Sequence, residues 1–264
     1  MAIGTCRIPV IPEWEGRETF PGEIVHSSTF KRAQDYAGKH VLVIGSGNSA
    51  AEITSRLTEY ASSVTISIRT PPHLLPKSVY GIPIVGIGIW LRYLPNNLVD
   101  MLLSFMQRRM IGDLTAYGLP FPPMSLTKQY AINNVVPILY GPFVDDIRAG
   151  RIKIVGSIQK ISGPTVHALR AVGITQDDDS TTIALEPDVI VAGTGFRTGI
   201  SELVQIPNIT DEKGRSKISG DQELEEAPRL YFIGQINPLS GQLREIRVEA
   251  GKIARKIREQ LRMK

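Results

Sequence analysis

At 264 residues, 42% apolar and 21% charged, the chain has the composition of an ordinary globular protein, with enough sequence for one large or two modest cores. Its net charge of +4 is mild, the basic residues gather mainly at the C-terminus, and no basic stripe interleaved with aromatics is present, which excludes a dedicated nucleic-acid surface. The single cysteine, Cys6, excludes a disulfide framework, a cysteine-based metal site and a dithiol redox pair, and it suits a reducing cytoplasm.

Residues 1–19 carry Pro9 and Pro12 between short apolar groups and read as an extended connector, with no basic-then-apolar secretion signal. Residues 20–30 (FPGEIVHSSTF) form a loop-and-strand segment, and 31–39 a polar helical turn. The unbroken aliphatic run 41–44 is long enough for one strand buried on both faces. Gly45, Gly47 and Ala50 then complete a G-x-G-x-x-A pattern: a tight turn, a bare backbone that a pyrophosphate can approach, and a small residue packing helix on strand. Asn48 and Ser49 are capping residues for a helix over about 49–60, whose free N–H groups, with those of Ser46 and Gly47, would face phosphates. A second strand, 63–68, ends at Arg69, where a dinucleotide fold meets the adenosine ribose. An acidic residue there accepts from a 2′-hydroxyl, whereas a guanidinium suits a 2′-phosphate, so Arg69 points to NADP(H). The bland alternative is a plain strand-to-helix connection with Arg69 as a solvated charge, and the order of motif, strand, helix and charge argues against it.

The TPPHLLPK loop that follows excludes helix through Pro71 and Pro72. Residues 79–91 (VYGIPIVGIGIWL) are too few for a membrane span, contain Pro83 and three glycines, and read as a buried or ligand-covering loop; membrane attachment is not expected. Residues 97–111 have helical apolar spacing, their methionines serving as core filler. After a proline-rich stretch at 118–124, the segment 141–150 predicts a short helix running into the strand 152–155. Three short strands, 158–161, 165–169 and 181–185, suggest a small antiparallel meander. Asp177, Asp178 and Asp179 read as a solvated turn, and His26, His40, His73 and His167 lack ligand spacing, so no metal is expected. Residues 188–192 and 230–233 are buried-type strands, each running into a glycine turn, at Gly193 and Gly234. The closing helix 242–262 carries an apolar stripe from Leu243 to Ile257, and its basic run reads as a solvated face.

Taken together these segments resemble the flavin-containing, or class B, flavoprotein monooxygenases, and are similar to plant indole-3-pyruvate monooxygenases and related bacterial flavoproteins. Phe20, Gly22, His26 and Phe30 meet the F-x-G-x-x-x-H-x-x-x-aromatic fingerprint, GSGNSA looks like the NADPH-binding glycine motif, VIVAGTGF like the A-T-G-type strand, and LYFIGQINPLSGQLREIRVEA like the closing flavin-facing strand and helix. The resemblance implies an enzyme in which NADPH reduces FAD and O2 adds to the reduced flavin as a C4a-hydroperoxide that oxygenates a small organic substrate. It implies that Gly45, Ser46, Gly47, Asn48 and Ser49 hold the NADP pyrophosphate and Arg69 the 2′-phosphate. Gly234 and Gln235 would lie near the flavin's phosphate and ribityl chain, Gln242 and Leu243 near its ring. His26 would sit where the two nucleotide domains join, or be a hydrogen-bonded structural histidine. No catalytic side chain is assigned.

The expected fold is α/β: a Rossmann-like NADP-binding domain (31–185) with its small β meander, and the C-terminal part of a second, FAD-type Rossmann domain (186–264), with 1–30 as linker and remnant of the latter. No FAD-type strand and glycine loop opens the sequence, and MAIGT looks like the end of such a domain, so roughly the first 130 to 160 residues of a typical member are expected to be missing. The strands 188–192 and 230–233 would then lack their neighbours, FAD would bind poorly, and the chain would be inactive alone. The alternative function is an NADP(H)-binding module without turnover.

Overall fold

The computed structural model describes residues 1–91, 93–133, 135–171, 181–236, 238 and 240–262. In chain order the strands are β1 (Ile8–Pro9), β2 (Glu23–His26), β3 (His40–Ile44), β4 (Ser63–Ser67), β5 (Leu74–Pro76), β6 (Ser78–Val79), β7 (Ile82–Pro83), β8 (Ile138–Tyr140), β9 (Ile152–Val155), β10 (Ile158–Ser162), β11 (Thr165–Leu169), β12 (Thr182–Leu185), β13 (Val189–Ala192) and β14 (Phe196–Arg197). The helices are α1 (Asn48–Leu57), α2 (Ile84–Leu91), α3 (Asn96–Met110), α4 (Leu126–Asn133), α5 (Phe143–Arg148), α6 (Ile200–Leu203) and α7 (Gln242–Arg262). These elements form two compact units, one of Val10–Ile84 and Pro95–Gly195, the other of Met1–Pro9, Val85–Leu94 and Phe196–Lys264.

The larger unit is built on a five-stranded, all-parallel sheet in the order β2-β13-β3-β4-β9. Read from β9 to β13 this is the 3-2-1-4 order of a doubly wound dinucleotide fold, with β2 added at the edge. The aliphatic run of β3 explains its central place, because a parallel strand covered on both faces needs apolar side chains pointing both ways. Val41 and Val43 pack with Ala50, Ile53 and Leu57 of α1 and with Val144 and Ile147 of α5. Leu42 and Ile44 face the other way, onto Phe20, Ile161, Val166 and Ile190. Each such fully buried aliphatic chain contributes about 1.5–3 kcal/mol. The antiparallel meander β10-β11-β12 is the one the spacing predicts, although the acidic turn lies outside the described residues.

Two expectations about this sheet are corrected. The strand 188–192, expected in the flavin domain and short of neighbours, is β13, paired in parallel with β2 on one side and β3 on the other, all four residues buried. β2, expected in a linker, is the sheet's edge strand. Both follow from alternating demands: β13 is apolar on both faces and can only be satisfied in a sheet interior, while β2 keeps Glu23 exposed at an edge.

The connection from β4 to β9 is a long excursion. The chain leaves after Arg69, forms β5, the β6–β7 hairpin and helices α2 to α4, and returns through β8, which pairs in parallel with β5. Residues 79–91, expected as a buried or ligand-covering loop, are the end of that hairpin followed by α2, and only Ile84 is buried among them; Tyr80 is fully exposed and Trp90 is 76% exposed. With glycines at 81, 86 and 88 and no polar residue to mark a face, the segment has no buried stripe to cover. Within the excursion His73, Asp100, Gln107 and Thr127 form a polar clasp. His73 Nε2 donates to the Met124 carbonyl (2.9 Å), and Asp100 accepts from the Thr127 amide (2.9 Å) and hydroxyl (2.5 Å).

The smaller unit holds the two-residue pair β1–β14 and a core of Ile200, Ile209, Ile218 and Phe232, with Met1 and Ile3 packed against it. Residues 230–233, expected as a strand, make an isolated bridge from Phe232 to Gly220, while the Ile233 amide donates to the Met1 carbonyl at 3.0 Å and the Met1 ammonium to Tyr231. Among the described residues of this unit there is no parallel sheet.

Candidate functional site

Gly45 follows β3 at the point where the strand order reverses, since β4 lies on one side of β3 and β13 on the other. Its amide donates to the Ser67 carbonyl at 3.0 Å and its φ of +143° is open only to glycine at low cost. A Cβ on Gly45 would overlap the Gly193 carbonyl, and one on Gly193 would come within 2.8 Å of the Ala50 Cβ. Three small residues on β3, α1 and the end of β13 thus let the first turn of α1 close onto the sheet. The pattern G-x-G-x-x-A foretold Gly45 and Ala50, and Gly193 is the partner it left unnamed.

Gly47 does the opposite work. Nothing lies within 4 Å of where its Cβ would be, so its backbone faces open space. It is also the N-cap of α1, and no side chain caps the helix, which leaves the first-turn N–H groups directed outward at the positive end of the helix dipole. Asn48 and Ser49, expected as caps, do not serve as such. Ser49 is exposed, and the Asn48 side chain bonds to the backbone of Pro137 (3.0 Å) and Leu139 (2.8 Å). Arg69 is exposed two residues beyond Ser67, the residue bonded to Gly45, and among the described residues it has neither a hydrogen bond nor an ion pair. An uncapped helix N-terminus, an open glycine and an unpaired guanidinium therefore share one edge of the sheet, a donor set suited to a phosphorylated dinucleotide.

The fingerprint residues fasten this edge. Phe20 is in the core with Ile190, Gly22 leaves room for the Asp188 carbonyl and the Phe20 ring, and Phe30 stacks on Tyr36 with ring centroids 5.3 Å apart. His26, buried at the end of β2, bonds through Nε2 to the Gly195 carbonyl at 2.9 Å, while its Nδ1 accepts from the Ser28 amide at 3.1 Å. A carbonyl can only accept, so the proton lies on Nε2. These contacts make His26 a hydrogen-bonded residue of the larger unit. It ties β2 to the turn that follows β13.

In the smaller unit Gly234 has a φ of +73° and both of its backbone groups are held by α7: its amide donates to Glu249 Oε2 (2.8 Å) and its carbonyl accepts from Gln242 Nε2 (3.2 Å). Glu249 Oε1 also accepts from Ser219 Oγ (2.5 Å). Glu249 is the buried residue of α7, and its place among Ile246 and Ile253 on one helical stripe was the signal that could have found it. Gln235 is 8% exposed; its Nε2 reaches the Gly4 carbonyl (3.4 Å) and its Oε1 has no partner among the described residues. Such a buried orphan acceptor fits a hydroxyl-bearing chain such as the flavin's ribityl group. Leu243, placed by resemblance near the flavin ring, is 85% exposed. Among the described residues no cluster of three or more histidine, cysteine or acidic side chains could hold a metal ion, and no helix is long and apolar enough to cross a membrane.

A profile of the family described as FMO-like, flavin-binding monooxygenase-like, matches residues 4–203. This chain belongs to the flavin-binding monooxygenase-like family. Among curated relatives, the indole-3-pyruvate monooxygenase YUCCA8 of Oryza sativa subsp. indica is 32% identical over 222 residues, which are 83% of this chain and 50% of that protein. The probable indole-3-pyruvate monooxygenase YUCCA10 of Arabidopsis thaliana is 35% identical over 192 residues, 72% of this chain and 46% of that one. The chain thus spans about half the length of the curated relatives it matches. Among solved structures, cyclohexanone monooxygenase from Rhodococcus sp. Phi1 bound to NADP+ superposes with a TM-score of 0.61 at 18% identity, over 97% of this chain and 60% of that one, and shares the fold. The α/β architecture with its parallel sheet is that of these flavoprotein monooxygenases. FAD and NADP are the family's cofactors, and both are bound in the solved OTEMO complex.

Proposed function

We propose that this chain binds NADPH at the turn between β3 and α1, with the backbone of Gly45, Ser46, Gly47, Asn48 and Ser49 around the pyrophosphate and Arg69 on the 2′-phosphate. In this reading it forms the NADPH-binding domain, and part of the FAD-binding domain, of an NADPH-dependent flavoprotein monooxygenase that acts on a small organic substrate with O2. The larger unit is the NADPH domain and the smaller unit contributes to the flavin site through Gly234 and Gln235. The flavin supplies the redox chemistry, taking electrons from NADPH and activating O2. This chain's own residues orient the nucleotide, and the orphan Gln235 Oε1 is the acceptor offered to the flavin side. The observation that carries the reading is that Arg69, unpaired among the described residues, follows β4 at the same edge of the sheet at which the open Gly47 and the uncapped α1 follow β3.

Titration of the chain with NADPH and with NADH, followed by calorimetry, tests it. Saturable binding with a preference for NADPH is expected; no binding, or tighter NADH binding, overturns it. A second reading, nucleotide binding without turnover, is favoured by the smaller unit, whose described residues include no parallel sheet that would carry a second pyrophosphate turn. NADPH binding with no NADPH oxidation in the presence of added FAD and O2 separates it from the first. The lone thiol of Cys6 fits the proposed cytoplasmic setting.

A further inference from the structure

Asn48 lies inside the glycine motif, yet its side chain is committed elsewhere in the larger unit. Its Nδ2 donates to the Pro137 carbonyl and its Oδ1 accepts the Leu139 amide. The two partners fix the orientation of the amide, because a carbonyl only accepts and an N–H only donates. Between them Ile138 is 1% exposed and gives its own amide to the His73 carbonyl at 2.8 Å. Successive amides along a strand point to opposite edges. β8 therefore pairs with β5 along one edge, while its other edge, with no strand beside it among the described residues, is met by the Asn48 amide, which supplies the donor and the acceptor a further strand would have supplied.

We propose that Asn48 is a positioning residue that clips the returning end of the excursion, at Pro137–Leu139, to the first turn of α1, and thereby holds that turn where its N–H groups meet a dinucleotide pyrophosphate. The proposal rests on the nucleotide reading above, but its contacts are with protein backbone rather than ligand. Losing the clip leaves the Leu139 amide and the Pro137 carbonyl without partners and lets the α1 turn and β8 move independently. Because NADPH and NADH share the pyrophosphate, both lose affinity together. Substituting Arg69, by contrast, affects only the nucleotide that carries a 2′-phosphate.

Asn48→Ala tests this without threatening the fold, since Asn48 is exposed and alanine suits a first-turn position. Dissociation constants for NADPH and NADH are expected to rise in parallel, each about three- to tenfold, the loss of one or two ordinary hydrogen bonds. Hydrogen exchange at the Leu139 amide is expected to quicken. Asn48→Asp keeps an acceptor for Leu139 but sets a carboxylate against the Pro137 carbonyl and the pyrophosphate, so Leu139 protection returns while nucleotide affinity does not. Unchanged exchange at Leu139 in the alanine variant, unchanged affinity for both nucleotides, or a loss confined to NADPH would each overturn the proposal. If the unaltered chain binds neither nucleotide, the parent reading fails, and this role for Asn48 fails with it even where Leu139 responds.

Discussion

Replacing Arg69 by alanine removes a guanidinium that no carboxylate of the described chain neutralises, so the fold should lose nothing. A charge-assisted contact to a phosphate is worth about 1.5–3 kcal/mol, so NADPH affinity should fall about 10- to 100-fold with NADH affinity unchanged, as read by parallel titrations. The two glycines of the turn separate fold from function. Gly45→Ala meets the Gly193 carbonyl and a positive φ and should cost at least ~2 kcal/mol, seen as a lowered thermal midpoint. Gly47→Ala projects into open space and should keep that midpoint, while the new methyl stands in the path of the phosphates and weakens NADPH binding. The tight turn at Gly45 and the close packing at Ala50 were legible because the spacing of small residues around a turn is local information. What Gly193 packs against, and which backbone Asn48 grips, were not, because the partners lie far along the chain and leave no mark on neighbouring residues.

Among the elements, helices with a buried stripe read most clearly. The range 97–111 became α3 (Asn96–Met110), which buries Val99, Leu103 and Gln107, and 242–262 is α7 itself. α2 and α4 were missed, the first for its glycines and unbroken apolarity, the second for burying only Leu126 and Gln129. β13 was recognised as a strand but given the wrong neighbours, since a doubly apolar run states that it is interior and does not say in which sheet. The α3–α4 clasp was invisible to periodicity and makes its own prediction. Burial pushes the His73 pKa below its ordinary 6.5, with the bonds to Met124 and Gln107 only partly opposing it. The unfolded chain therefore holds a proton that the folded chain does not, so stability is full above about pH 6.5 and declines as pH falls below it. Burial also raises the Asp100 carboxyl, but bonds from Thr127 and Ser125 outweigh that and hold it below the usual range, so its contribution is lost only at more acid pH. His73→Gln should flatten the fall in denaturation midpoint between about pH 7 and 5; an unaltered slope would contradict this account.

At the level of the whole chain, the expected split at 185/186 gives way to two units interleaved along the sequence, with 85–94 of the excursion grouped with the C-terminal segment. The smaller unit exposes Leu243 and Leu261 on α7, and its core cluster among the described residues is Ile200, Ile209, Ile218 and Phe232 with partly buried Met1, Ile3, Val204, Ile206, Leu224 and Leu230 around it. The exposed leucines, and the lack of a parallel sheet among its described residues, predict that the chain mixed with FAD and passed through a desalting column retains no stoichiometric flavin absorbance. Stoichiometric retention would show that the Gly234–Gln235 region suffices by itself. The overall α/β class was readable because alternating aliphatic runs and glycine turns announce a doubly wound sheet. The interleaving was not, because nothing in residues 85–94 distinguishes a neighbour from the sheet unit from one near the C-terminus.

The pairing of β5 with β8 brings the two ends of the excursion side by side, Leu74 opposite Ile138. A detour whose mouth is already shut can take a flexible insertion at little thermodynamic cost, roughly 0.6 kcal/mol for each doubling of the inserted loop's length, provided that Ile111, Leu114 and Leu119, which join the core of the sheet unit, are kept. Grafts of foreign sequence at the exposed tip of the β6–β7 hairpin, at Tyr80 and Gly81, should accordingly leave the parallel scaffold standing, and shape could diversify there while the turn at Gly45 stays as it is.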